Sequence, residues 1–92
     1  QHSSALVALG VAYQKKGDLA QARAFTSRAL AADPKNPLAL KNLGAILYGN
    51  GALMKARKEF EEVLRIDPND PEAASNIALI TEELIKQRNS AE

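Results

Sequence analysis

The feature that most constrains this chain is a period. Shifted against itself by 34 residues, the 92-residue sequence shows 15 identities among the 58 overlapping pairs (92 minus 34). Unrelated stretches would show roughly four or five, since common residues occur at about 5–10 % each. The matches are those that set backbone shape and packing. They include Leu6/Leu40, Leu9/Leu43, Gly10/Gly44, Gly17/Gly51, Leu19/Leu53, Ala22/Ala56, Leu30/Leu64, Asp33/Asp67, Pro34/Pro68 and Pro37/Pro71. A fixed period of this length marks a repeat array, in which each unit buries its apolar face against the next.

Within each period the spacing is helical. Leu6, Leu9, Gly10 and Tyr13 fall three and four apart on one stripe, which stops at Gly17. Asp18 then reads as the cap of a second helix, with Gln21 three residues on and Leu19, Ala22, Phe25, Ala29 and Leu30 as its apolar face. Asp33 before Pro34 ends the unit. Asn36-Pro37 opens the second unit as cap and first helical residue, and Asp70-Pro71-Glu72 opens the third. At Asn50-Gly51-Ala52 the capping aspartate is missing, which weakens that helix start by about 1 kcal/mol. Ser3 and Ser4 read as the cap of the opening helix. The expected helices are 3–16, 19–32, 37–50, 53–66 and 71–88.

Gly10 and Gly44 lie inside helical patterns, where glycine costs about 1 kcal/mol relative to alanine. Their recurrence in register implies close approach of a second helix. Apolar content is 46 % with only 4 % aromatic, a composition for closely packed helices. The third unit lacks a turn: Leu84-Ile85 stands where Gly17 and Gly51 break the earlier units. Its helix therefore runs on, with Glu82, Glu83, Lys86, Gln87 and Arg88 on a polar outer side suited to the end of an array.

Little supports catalysis. The chain has no cysteine, and its one histidine, His2, sits at a terminus. No metal-ligand spacing occurs, and Glu61-Glu62 and Glu82-Glu83 read as solvated faces. Lys15-Lys16 and Lys55-x-Arg57-Lys58 are short basic clusters among acids without stacking aromatics, so nucleic acid is not an expected partner. No cofactor is expected. The net charge of +1 hides an asymmetry: residues 1–46 carry six Lys/Arg against two acids, and residues 47–92 six against nine. No apolar run of 18 residues occurs, so no membrane insertion is expected and a cytoplasmic setting is the default. The chain opens on Gln1 rather than methionine, as an excised or processed piece would.

A 34-residue helix–turn–helix with this skeleton resembles the tetratricopeptide repeat, whose pattern is Trp-x₂-Leu-Gly-x₂-Tyr, then Ala-x₃-Phe, then Pro. The first unit reads Leu6-x₂-Leu9-Gly10-x₂-Tyr13, Ala22-x₃-Thr26, Pro34. The second reads Leu40-x₂-Leu43-Gly44-x₂-Leu47, Ala56-x₃-Phe60, Pro68. The departures are in the aromatics, with leucine for tryptophan in both units, Thr26 for phenylalanine and Leu47 for tyrosine. The resemblance implies an all-α, right-handed solenoid in a single domain, with repeats at 3–36 and 37–70 and a capping helix at 71–88.

It also implies a non-catalytic role, the binding of an extended or helical segment of another protein in a concave groove. The inward positions of the first helices would then carry the site: Val7, Val11, Leu38, Lys41, Asn42, Tyr48, Asn76 and Leu79. Ser4, Ala8, Gln14, Ala45, Glu72 and Ser75 share those faces. Asn42 and Asn76 are 34 apart and could form a ladder of amides along a peptide backbone, their side chains pointing away from the packing stripe. Asparagine there also reads as a tolerated surface residue. Lys41 resembles one member of the clamp by which some relatives grip a C-terminal carboxylate. The match stops there, because Ala45, Glu72 and Asn76 replace the other members. Two rivals stand beside groove binding. One is self-assembly, with the basic first half docking head to tail on the acidic second half of another copy. The other is service as the interaction region of a larger enzyme or secretion protein.

Overall fold

The computed structural model describes residues 2–90, so Gln1 lies outside it. Five helices follow one another: α1 (Ser3–Lys16), α2 (Leu19–Ala32), α3 (Pro37–Gly49), α4 (Leu53–Ile66) and α5 (Pro71–Ser90). Two ends differ from expectation. α3 stops one residue early, where Asn50 becomes the C-cap ahead of Gly51. α5 runs two residues further, since neither glycine nor proline follows to stop it.

The inner turns are built alike. Gly17 and Gly51 take φ of 85° and 79°, a left-handed conformation that a side chain would strain. At the first, the Gly17 N–H donates to Gln14 O and the Asp18 N–H to Tyr13 O, both at 3.0 Å. At the second, Gly51 donates to Tyr48 O and Ala52 to Leu47 O. This double closure satisfies the last carbonyls of each helix. The starts follow the residues as well. Asp18 Oδ1 accepts from the Gln21 N–H at 3.1 Å, Asn36 Oδ1 from Leu38 and Ala39, and Asp70 Oδ1 from Ala73. α4 starts at Ala52 with no side-chain cap.

The start of α1 corrects one expectation. Its N-cap is His2, which makes no capping bond. Ser3 is already helical, and its hydroxyl reaches across the fold instead. It donates to Ala29 O at 3.0 Å and accepts from Asn36 Nδ2 at 2.8 Å. Asn36 thus caps α3 with one end of its amide and ties it to α1 with the other.

α1 packs on α2 and α3 on α4 within units; α2 on α3, α4 on α5 and α1 beside α3 join them. The array measures 48 × 30 × 18 Å, too thin for one central core. Its apolar residues form two clusters. The larger surrounds Phe60 with Leu40, Leu47, Leu53, Ala56, Val63, Ala73 and Ile80, and the smaller joins Leu6, Val7, Ala29 and Ala39. Leu43 packs against the larger cluster, as does Leu30 from α2. Its counterpart Leu9 is 43 % exposed, because no helix lies ahead of α1 among the described residues. Pro34 and Pro68, in the links after α2 and α4, are exposed.

The two units fill the space beneath their helical glycines differently. A Cβ on Gly44 would meet the Phe60 ring at 2.7 Å. On Gly10 it would meet Thr26 Oγ1 at 2.7 Å and Asn42 Nδ2 at 3.1 Å. The aromatic bulk of the first unit sits one residue earlier, where Phe25 stacks on Tyr13 with ring centres 5.5 Å apart.

Candidate functional site

α1, α3 and α5 share a concave face with a hollow of about 360 Å³. α1 contributes Val7, Val11 and Gln14, spaced four and three apart on one stripe. From α3 come Leu38, Lys41, Asn42 and Ala45, likewise on one stripe, and α5 adds Glu72. Val7 and Asn42 are buried and make the floor, while Leu38, 60 % exposed, stands at the rim. Three of the residues expected in the groove do not line this hollow. Tyr48 lines a second hollow of about 430 Å³ at the far end of the α3–α5 seam, with Glu83 and Gln87. Leu79 is exposed on α5 and lines neither hollow. Asn76 donates to the Glu72 carbonyl of its own helix at 2.9 Å.

Asn42 does not point away from the packing. Its Nδ2 donates to Thr26 Oγ1 at 2.7 Å, and that hydroxyl donates to Ala22 O at 2.7 Å. Thr26 is fully buried and Asn42 is 8 % exposed. Thr26, which stands where the repeat pattern has phenylalanine, is therefore the partner that orients the Asn42 amide. The glycine at position 10 leaves room for both. No buried side-chain nitrogen or oxygen lacks a partner among the described residues. Asn42 thus lines the hollow as a buried residue whose amide nitrogen is already engaged. The expected pair of equivalent amides is not formed, since Asn42 is held across the repeat junction and Asn76 on its own helix.

Lys41 is also engaged. Its Nζ lies 3.0 Å from Asp70 Oδ2 and 3.8 Å from Glu72 Oε2. The Lys41 and Asp70 side chains are 16 % and 10 % exposed, whereas Glu72 is 65 % exposed. The Asp70 bond raises the Lys41 pKa above the usual lysine value, against the effect of burial. The Ala73 N–H, and then Lys41, hold Asp70 below the usual carboxylate range. Asp70 was read from the sequence only as a cap; pairing across 29 residues leaves no local signal.

Among the described residues no group of three or more His, Cys, Asp or Glu could hold a metal ion, and no helix is long and apolar enough to cross a membrane.

No curated protein matches the chain. Solved structures do. The first TPR domain of Spaghetti (RPAP3), bound to the HSP90 peptide SRMEEVD, superposes with a TM-score of 0.86 at 25 % identity, covering 91 % of this chain and 67 % of that one. The Sgt2 TPR domain from Aspergillus fumigatus gives 0.84 at 26 %, covering 94 % and 57 %. The second TPR domain of human RPAP3, in complex with the HSP70 peptide SGPTIEEVD, shares the fold at 0.80 and 22 %, covering 87 % and 67 %. The model of the tetratricopeptide repeat matches residues 13–80, which span the inner turns, the helical Gly44 and the Phe60 core. This chain, an all-α solenoid of helix–turn–helix units, belongs to the tetratricopeptide repeat family.

Proposed function

We propose that this chain is a non-catalytic protein-interaction module that holds a segment of another protein along the face formed by α1, α3 and α5. In this reading residues 3–36 and 37–70 are the repeats, and α5 caps the array. The observation that carries it is the hollow itself. Val7, Val11 and Leu38 offer apolar walls, while Gln14 and, at the floor, Asn42 add polar side chains. The peptides held by the solved relatives support the same use of the fold here.

Head-to-tail assembly has less support. The α1 end presents Lys16 with Leu9 and Tyr13, and the α4–α5 end presents Arg57 and Arg88 with Met54 and Ile85. Docking one on the other would oppose like charges.

Panning a randomised twelve-residue phage library and titrating the enriched peptides tests the proposal. Leu38 and Met54 are matched probes at 60 % and 61 % exposure, one at the hollow and one on α4 away from it. Leu38→Asp is expected to weaken binding at least about tenfold, a typical loss for an apolar anchor. Met54→Asp should leave affinity unchanged, and circular dichroism should show both variants folded. Equal effects of the two substitutions would remove the concave face as the site.

A further inference from the structure

The seam between α3 and α5 has a charge pattern that narrows the partner. The chain carries 12 Lys/Arg, yet Lys41 is the only one lining either hollow of the seam. Asp70 already answers its charge at 3.0 Å. The other charged groups lining the two hollows are carboxylates. Glu72, 65 % exposed and 3.8 Å from the Lys41 ammonium, lies at one hollow, and half-buried Glu83 at the other beside Tyr48, itself 44 % exposed.

We propose that this face takes an apolar segment bearing basic side chains, one opposite Glu72 and one against Tyr48 and Glu83. The inference rests on the concave-face reading above and adds the partner's chemistry to it. A guanidinium or ammonium over the Tyr48 ring gains from the ring's negative face, and Glu83 adds opposite charge in the same hollow. Glu72 and Glu83 are eleven positions apart on α5 (83 minus 72). That is roughly 16 Å of helix, the reach of about five residues of extended chain. Val11 and Leu38 supply the apolar contact beside Glu72. An acidic segment would meet repulsion at both ends of the seam, and its carboxylate would have to share Lys41 with Asp70 and Glu72.

The randomised library, panned on wild type and on the Glu72→Lys/Glu83→Lys variant, supplies the test. Wild type is expected to enrich apolar peptides with an excess of Arg and Lys, and the variant to lose that excess. With the best wild-type peptide, Glu72→Gln/Glu83→Gln should weaken binding roughly five- to tenfold at low salt, and less at 1 M salt. Peptides that bind without an excess of basic residues, or an excess that survives charge reversal, overturn the proposed partner and leave the concave-face reading standing. No enrichment over the Leu38→Asp variant overturns both.

Discussion

Gly44→Ala measures how tightly the second unit is closed. The added Cβ would stand 2.7 Å from Phe60 Cε2, 2.8 Å from Cζ and 3.1 Å from Cδ2. Carbon atoms pack at about 3.5–4.0 Å, so the ring must retreat by several tenths of an ångström or more. Phe60 is 2 % exposed within the larger core, against Leu40, Leu47 and Val63, and has little free space to enter. Overpacking of this kind costs about 1–3 kcal/mol. Replacing a helical glycine returns about 1 kcal/mol. The balance is a loss of up to about 2 kcal/mol, and each kilocalorie lowers the melting temperature of so small a domain by about 4–8 °C. The decisive measurement is a double-mutant cycle with Phe60→Leu, followed by urea and thermal melts at 222 nm. With the ring gone, Gly44→Ala should become stabilising, which gives a coupling of about 1–3 kcal/mol between the two sites. If the substitution has the same effect in both backgrounds, the close approach of α3 to α4 at Gly44 is wrong.

The remaining expectations concern stability. Thr26→Val keeps the shape but removes the acceptor for the buried Asn42 amide, and should cost about 1–3 kcal/mol in urea unfolding. Ala52→Asp restores the cap missing from α4 and should add about 1 kcal/mol by the same assay. Removing residues 71–90 should unfold or aggregate the chain, since Ala73 and Ile80 complete the core around Phe60; a soluble, helical monomer by light scattering would count against a capping role for α5. The Asp70–Lys41 pair sets a pH dependence whose sign follows from the two shifts. A carboxyl held low in the fold stabilises above its unfolded value of about 3.9 and loses that contribution as pH falls through the folded value. Lys41, raised in the fold, keeps its contribution until pH exceeds the ordinary lysine value. The stability gap between wild type and Asp70→Asn should therefore be widest near neutrality and close below about pH 4.

Much of the fold was legible because its signals are local. The helix starts at Asp18, Asn36 and Asp70 are side-chain caps reaching a few residues along the chain, and the stops at Gly17 and Gly51 are single backbone conformations. The 34-residue period carried the rest, because equal spacing of Leu, Gly and Ala obliges successive units to stack alike. The first α1 residues were misjudged for a related reason. Serine near a helix start is an ordinary cap, and nothing in the local sequence shows that Ala29 and Asn36 lie within reach of Ser3.

The candidate site divides along the same line. The resemblance to the repeat family implied that Val7, Val11, Leu38, Lys41 and Asn42 share one face, and the structure brings them to one hollow. The resemblance could not say which of their polar groups would be free, because that depends on partners distant in the chain. Thr26 holds Asn42 across 16 residues, and Asp70 holds Lys41 across 29. By itself the sequence determined the helices, their turns and the repeat, since each arises from interactions within about one helical turn. Only the tertiary structure decided that the lysine of the concave face is held mainly by Asp70, with Glu72 further off and mostly exposed, since charges and hydrogen bonds are satisfied by proximity in space and not by order in the chain.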